Sequence, residues 1–348
     1  MAAIISYLYG KTSDGKDVKY YIVENKRGAR VVLSQLGASI VSILVPDKYG
    51  KMRDVVLGYR GVTEYEENDT YFGATVGRCC GRIQNGKFVL NDKEYNLPVN
   101  NGKNHLHGGF KSFSRRVWDS RVDGDDVVFT LNVSDGEEGY PGNMVVKARY
   151  SFDNENVLTI NYSAVSDEDT LCNITGHSYF NLNGHTDGSI KEHILHINAD
   201  KYIPLDESLI PTGKIKAVAN TPFDFRKDKK IVSGLNKDDE QLQIAKGFDH
   251  SFVVNKEKSG LSLMATAFSE HSGIKLECFS TQPVLHLYTA NYVDERHGKL
   301  NALYEAYSGF CFETQGYPDA VNHPNFPTNI LKANQKYNQT TKFVFTTI

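Results

Sequence analysis

The chain is poor in tryptophan, with Trp118 alone, and has five cysteines and four methionines among 348 residues. Five is an odd number, and Cys79, Cys80, Cys172, Cys278 and Cys311 show no Cys-x-x-Cys spacing. Neither a disulfide framework nor a cysteine-based zinc site is indicated, and a reduced intracellular chain is the default. Charge of one sign is not in excess either: 39 Lys and Arg against 42 Asp and Glu give a formal net charge of -3. That balance makes no case for nucleic acid or an anionic membrane as partner. No apolar run approaches transmembrane length. The apolar start, Met1–Tyr9, is short and lacks a basic leader, so it reads as a first strand rather than a signal peptide. A soluble, cytoplasmic protein is expected. Walker-type loops, a Gly-x-Gly-x-x-Gly after a strand and a Gly-x-Ser-x-Gly elbow are all missing, so no nucleotide cofactor is indicated.

What is plentiful is tyrosine and phenylalanine, 20 and 18 residues, which suit strands and ligand-stacking surfaces. Apolar residues alternate along much of the chain, as at Val127, Phe129, Leu131 and Val133, or Leu158, Ile160, Tyr162 and Ala164. Ile274–Ser280 repeats the pattern, and the chain closes on the β-rich Thr341–Ile348. Lys87–Leu90 and Lys93–Leu97 flank Asn91-Asp92, the short polar connection of a hairpin. Helical periodicity is confined to a turn or two at Gly61–Glu67 and Asp228–Leu235. Strands without interleaved long helices predict an all-β protein, a large antiparallel sandwich. No linker or repeat divides it. The polar stretch Lys227–Lys246 reads as a surface excursion, and a single domain over residues 1–348 is expected.

Ionisable residues gather with glycine and aromatics in several patches. In Ile174–Leu182 the central His177 stands among small, aromatic and amide residues, where it is either a core histidine or a group that protonates an oxygen of a stacked sugar. Glu313 lies in the apolar Phe310-Cys-Phe-Glu. Strand geometry turns Phe310 and Phe312 one way and Cys311 and Glu313 the other. A carboxylate buried there needs a partner. It is either an ion pair with Arg78 or Arg82, or a general base. His105 and His107 at i, i+2 offer a two-ligand metal spacing, but no carboxylate stands at a neighbouring ligand spacing, and metal is the lesser reading. The glycines after them, Gly108 and Gly109, suit a loop backbone passing close to another group. Asp249 suits a turn or a ligand. Arg82 could grip hydroxyls through its planar fork. Gln282, before Pro283, fits loop hydrogen bonding. The acidic loop Asp135–Gly142 and the basic Lys111, Arg115 and Arg116 read as solvated. Cys79 and Cys311 have no context that would activate a thiol.

In order along the chain, Asn104–Gly109, His177–Leu182, Gly247–His250, Thr281–Pro283 and Glu313–Gln315 resemble the aldose 1-epimerase family, the galactose mutarotases. The match runs from Asp54–Gly58 to Phe326-Pro327. The resemblance implies a large antiparallel β-sandwich, no metal or organic cofactor, and interconversion of the α and β anomers of free aldoses such as galactose and glucose. It implies Glu313 as general base on the C1 hydroxyl and His177 as general acid on the ring oxygen, one on each side of the reacting centre. His107 would support the charge at that oxygen, while Arg82, Asp249 and Gln282 hold hydroxyls and Tyr179 lies in the cleft. A small-molecule aldose is the expected partner, for a monomer or weak dimer. A non-catalytic carbohydrate-binding protein, a glycosidase working with Asp249 and Glu313, and a mutarotase for a phosphorylated or pentose sugar are the competing readings. The family commonly carries Asn where this chain has Gly81 and Gly176. The two glycines are expected to face each other or the same part of the sugar, so that their joint presence opens space or removes a hydroxyl contact and alters preference; the alternative is a neutral change filled by water.

Overall fold

The computed structural model describes residues 3–236, 238–256 and 260–348. Positions 1 and 2 of the apolar start and one position of the polar stretch 227–246 lie outside them. Three antiparallel sheets make the frame. Ala3–Lys11, Asp17–Glu24, Arg30–Ser34, Ser39–Pro46 and Met52–Asp54 form a five-stranded meander in chain order. The second sheet has nine strands. Its order is Asp119–Asp123, Asp126–Val133, Met144–Phe152, Val157–Ser166, Lys336–Thr347, Ile274–Ser280, Ser262–Phe268, Ile194–Ile197 and Lys229–Lys230. Six strands make the third: Tyr179–Phe180, Phe310–Gln315, Val284–Tyr288, Asp249–Val253, Lys201–Ile203 and Lys216–Ala217.

Alternation explains the layering. In Val157–Ser166 the even positions Leu158, Ile160, Tyr162 and Ala164 are buried and join one apolar cluster. The same cluster takes in Val31, Leu33 and Ile43 from the five-stranded sheet, and Phe252, Leu285, Phe310 and Phe312 from the six-stranded one. The nine-stranded sheet therefore buries one face against both others, as a sandwich requires. Phe310–Gln315 is buried along its whole length, because Phe310 and Phe312 enter that cluster while Cys311 belongs to a second one with Tyr179 and Tyr288.

The hairpin Lys87–Leu90 and Lys93–Asn96 turns through Asn91 and Asp92 with φ of 51° and 62°, the left-handed pair that a two-residue turn demands. Helices form at Val62–Glu67 and Ile231–Leu235, inside the two predicted stretches. A third, Glu240–Ala245, was not predicted. It lies within the polar stretch read as a surface excursion, and it is started by Asp239, whose side chain accepts from the amides of Gln241 and Leu242. Among the described residues no helix is long and apolar enough to cross a membrane.

Candidate active site

One face of the six-stranded sheet lines a cleft of about 340 Å³, within the range for small-molecule sites. Asp249, Ser251, His286, Tyr288, Glu313 and Gln315 line its sheet side; Tyr71, Gly81, Arg82, His107 and His177 line the rest. The expected alternation of Phe310–Gln315 holds: Glu313 faces the cleft and is 2% exposed. Its ionisable neighbour is neither arginine considered from sequence. Oε1 of Glu313 stands 3.5 Å from Nε2 of His177. Arg78 is buried on the carbonyls of Pro141 and Gly142, and Arg82 pairs with Asp249 at 3.7 Å.

His177 is fixed from every side. Its amide donates to Ala74 and its carbonyl accepts from Gly73, while Thr175–Gly176 pairs with Thr75–Val76. The ring lies 5.0 Å from that of Tyr179, 5.9 Å from Tyr71, 6.2 Å from Tyr288 and 5.4 Å from His107. Nδ1 meets Sγ of Cys311 at 3.5 Å. Two residues of one strand thus address opposite nitrogens of one imidazole. Tyr179 is anchored by its hydroxyl on the Thr70 carbonyl. His177 and Glu313 are adjacent, 3.5 Å apart. That suits a hemiacetal, whose hydroxyl and ring oxygens are bonded to the same carbon.

The paired histidines at 105 and 107 separate. Nδ1 of His105 donates to the Pro98 carbonyl and Nε2 accepts from the Tyr140 hydroxyl, both at 2.7 Å, which makes it a packing residue. His107 adopts φ of 52° and turns into the cleft, so the two rings share no metal-binding face. Nδ1 of His107 accepts from the Gly81 amide at 3.3 Å. Burial above all, then the charges of His177, Arg82 and His286, hold His107 well below the ordinary histidine value. It is a neutral ring with its Nε2–H free for the cleft. Gly108 follows at φ of 85°, and a Cβ there would lie 1.9 Å from the Gly77 carbonyl oxygen, the close approach that the glycine pair announced. Far from being a solvated turn, the acidic loop clamps this segment. Glu138 accepts from the amides of Phe110 and Lys111, and Glu137 pairs with Arg116.

Asp249 accepts from Nε2 of His286 at 2.8 Å. Burial pushes its carboxyl up, but the hydrogen bond from His286 and the charges of Arg82 and His286 win and hold it well below the usual range. Arg82 is steadied by donating Nε–H to Asn101. Sequence reasoning passed over His286, Tyr71 and Gln315. His286 had a usable signal, a titratable residue in the apolar strand Val284–Tyr288, the same signal that singled out Glu313.

Two expectations are corrected. Gln282 is not a cleft residue. It lies where the chain leaves the nine-stranded sheet for the six-stranded one, donates to the Tyr337 hydroxyl, and lines a separate cavity of about 190 Å³ with Asn173 and Tyr317. Gly81 and Gly176 share no space. Gly81 lines the cleft, whereas a Cβ on Gly176 would meet the Tyr162 hydroxyl at 3.1 Å on the core side.

The fold is an antiparallel β-sandwich of the galactose mutarotase type. Solved structures of an aldose epimerase homologue from C. elegans and a galactose 1-epimerase from Lactobacillus acidophilus superpose with a TM-score of 0.87 each. They are 30% and 31% identical, cover 100% of this chain, and are themselves covered over 100% and 99%. The chain belongs to the aldose 1-epimerase family, whose sequence pattern matches residues 19–344. Galactose mutarotases from Sus scrofa and Homo sapiens are 43% and 39% identical, over 91% and 99% of both chains. The protein is accordingly an isomerase that interconverts the anomers of an aldose.

Proposed function

We propose that the cleft opens and recloses the hemiacetal of free hexoses, galactose first and glucose second, with Glu313 as base and His177 as acid. Glu313 takes the proton of the C1 hydroxyl as the C1–O5 bond breaks, and its electron pair goes to O5, which His177 protonates. The open aldehyde turns about C1–C2. On closure His177 recovers the proton from the C5 hydroxyl while Glu313 returns its own to the former carbonyl oxygen, so both groups end as they began. Neutral His107 points an N–H donor at the charge developing on O5. Arg82 and Asp249 take hydroxyls, Tyr179 backs the ring of His177, and Gly81 contributes its backbone.

The observation that carries this reading is the 3.5 Å approach of Nε2 of His177 to Oε1 of Glu313 at a cleft of monosaccharide size. The relatives named for galactose favour that sugar. Lys111, Arg115 and Arg116 are not among the cleft residues, which favours an unphosphorylated substrate. Asp249, held by His286 and Arg82, is poorly placed to serve as a glycosidase carboxyl. We further propose a single-domain protein, since one apolar cluster joins all three sheets, working as a monomer or weak dimer, and a cytoplasmic setting, for which the five free and buried cysteines speak. Polarimetry of freshly dissolved α-D-galactose and α-D-glucose tests the activity; spontaneous rates in the presence of enzyme would refute it.

A further inference from the structure

Three adjacent strands carry Ser251, His286 and Glu313 in line: Ser251 pairs with His286, and His286 with Glu313. Directly opposed residues share a sheet face, with Cβ atoms roughly 4.5–5.5 Å apart. All three line the cleft, as does Asp249, two residues before Ser251 and on the same face. Nε2 of His286 is 2.8 Å from Oδ1 of Asp249, and Nδ1 is 2.9 Å from Oγ of Ser251. Each ring nitrogen therefore meets an oxygen able to accept. The sheet side of the cleft holds two carboxylates, Asp249 and Glu313, with an imidazole between them. Like charges in one desolvated site drive a proton onto one of them unless a cation intervenes.

We propose that His286 is a positioning residue for mutarotation: it stands in the cleft as an imidazolium, donates to Asp249 and Ser251, and with its positive charge stabilises the carboxylate form of Glu313. This deepens the acid–base reading above and rests on it. Burial disfavours the charged ring, but the hydrogen bond and charge of Asp249, joined by the charge of Glu313, raise His286 above the ordinary histidine value against the opposition of Arg82. Of the other imidazoles nearby, His107 at the rim and His250 behind the strand are held low, first of all by burial, and bring no second charge at neutral pH, while His177, 3.5 Å from Glu313, is the acid that gives its proton to the sugar, which leaves His286 as the cation that stays. Arg82 reaches Asp249 at 3.7 Å and is no strand neighbour of Glu313, whereas His286 both hydrogen-bonds Asp249 and lies directly opposite Glu313. With Nδ1 protonated, Ser251 accepts a hydrogen bond and has no base to take its proton, so the Ser251–His286–Asp249 chain is not a nucleophilic relay.

The test is the pH profile of kcat/KM for anomer interconversion in wild type, His286→Gln and Glu313→Gln, each checked for folding by near-UV circular dichroism. A glutamine keeps an N–H for Asp249 and a carbonyl for Ser251 but loses the charge. The acid limb of His286→Gln is expected to move to higher pH by at least roughly half a unit, the effect of a unit charge a few ångströms away even through water. A purely structural role would lower activity by the same factor at every pH, and superimposable scaled profiles would overturn the inference. Side-chain ¹⁵N spectra of the wild type give a reading without substitution: an imidazolium at pH 7 is expected for His286, and a neutral ring at pH 6 would overturn it. If the wild type fails to accelerate mutarotation, the acid–base reading falls instead. If Glu313→Gln loses activity while His286→Gln keeps the wild-type profile, only this inference falls.

Discussion

The amide of Gly81 donates to Nδ1 of His107 at 3.3 Å, and the amide of His107 donates back to the carbonyl of Gly81 at 3.1 Å. This reciprocal pair fixes both the place and the tautomer of His107. Gly81 holds φ of 75°, and a Cβ there would meet only Pro318, at 3.5 Å. What glycine supplies is conformation rather than room. Gly81→Ala should lose about 1–2 kcal/mol in denaturant unfolding, the left-handed cost of an L side chain. Gly81→Asn should lose less, and turnover should largely survive in both because the amide remains. An unchanged unfolding midpoint in Gly81→Ala would contradict this.

Glu313→Gln and His177→Gln should each fold, bind galactose in calorimetry, and lose roughly 10²–10⁴-fold in mutarotation rate, the usual worth of one acid–base group. A near-wild-type polarimetric rate in either variant removes that residue from the chemistry.

Gln282→Ala should leave KM for galactose unaltered, because its side chain bonds Tyr337 and lines a cavity separate from the cleft. A several-fold rise in KM would return Gln282 to the binding set.

Asp319 gives a stability signature. Its carboxyl is buried, and this burial outweighs the hydrogen bonds from Asn322 and the Gln84 amide to push it up to about 7. His323 stands 3.6 Å away. Between about pH 4 and pH 7 the folded chain holds a proton that the unfolded chain has released. Stability therefore falls as pH rises through that window and levels off above it. Asp319→Asn should be the more stable protein above pH 7, by a few kcal/mol at most, with the gap closing toward pH 4. Parallel melting curves of the two proteins across this range would rule the account out.

All five thiols are free and buried, and burial pushes Cys79 up to about 12 and Cys311 well above the ordinary thiol value. At pH 8 the folded protein should resist a thiol reagent that titrates all five after denaturation. Rapid labelling of Cys311 in active protein would show that the strand beneath His177 opens readily.

Sheet content was legible because alternation is a local signal: Leu158–Ala164 and Ile274–Ser280 could be read residue by residue. The same arithmetic placed Cys311 and Glu313 on one face. It did not reveal what that face meets. The register that sets His286 opposite Glu313 is a long-range fact, with no trace in either strand alone. Gln282 was misassigned for the converse reason. A residue at a crossing between sheets can turn to either side, and here the Tyr337 hydroxyl decides. Tyr71, at φ of 59°, owes its place beside His107 and His177 to a local turn that composition does not announce.

The strand Lys336–Thr347 lies between Val157–Ser166 and Ile274–Ser280 and pairs with both. Until it is made, those two strands each present an unpaired edge, and the largest sheet is in two pieces. Native pairing of this kind has high contact order and forms slowly. Two open edges in the meantime are templates for wrong partners. The catalytic residues all precede this strand in the chain, so they can be synthesised while the layer behind them is still in two pieces.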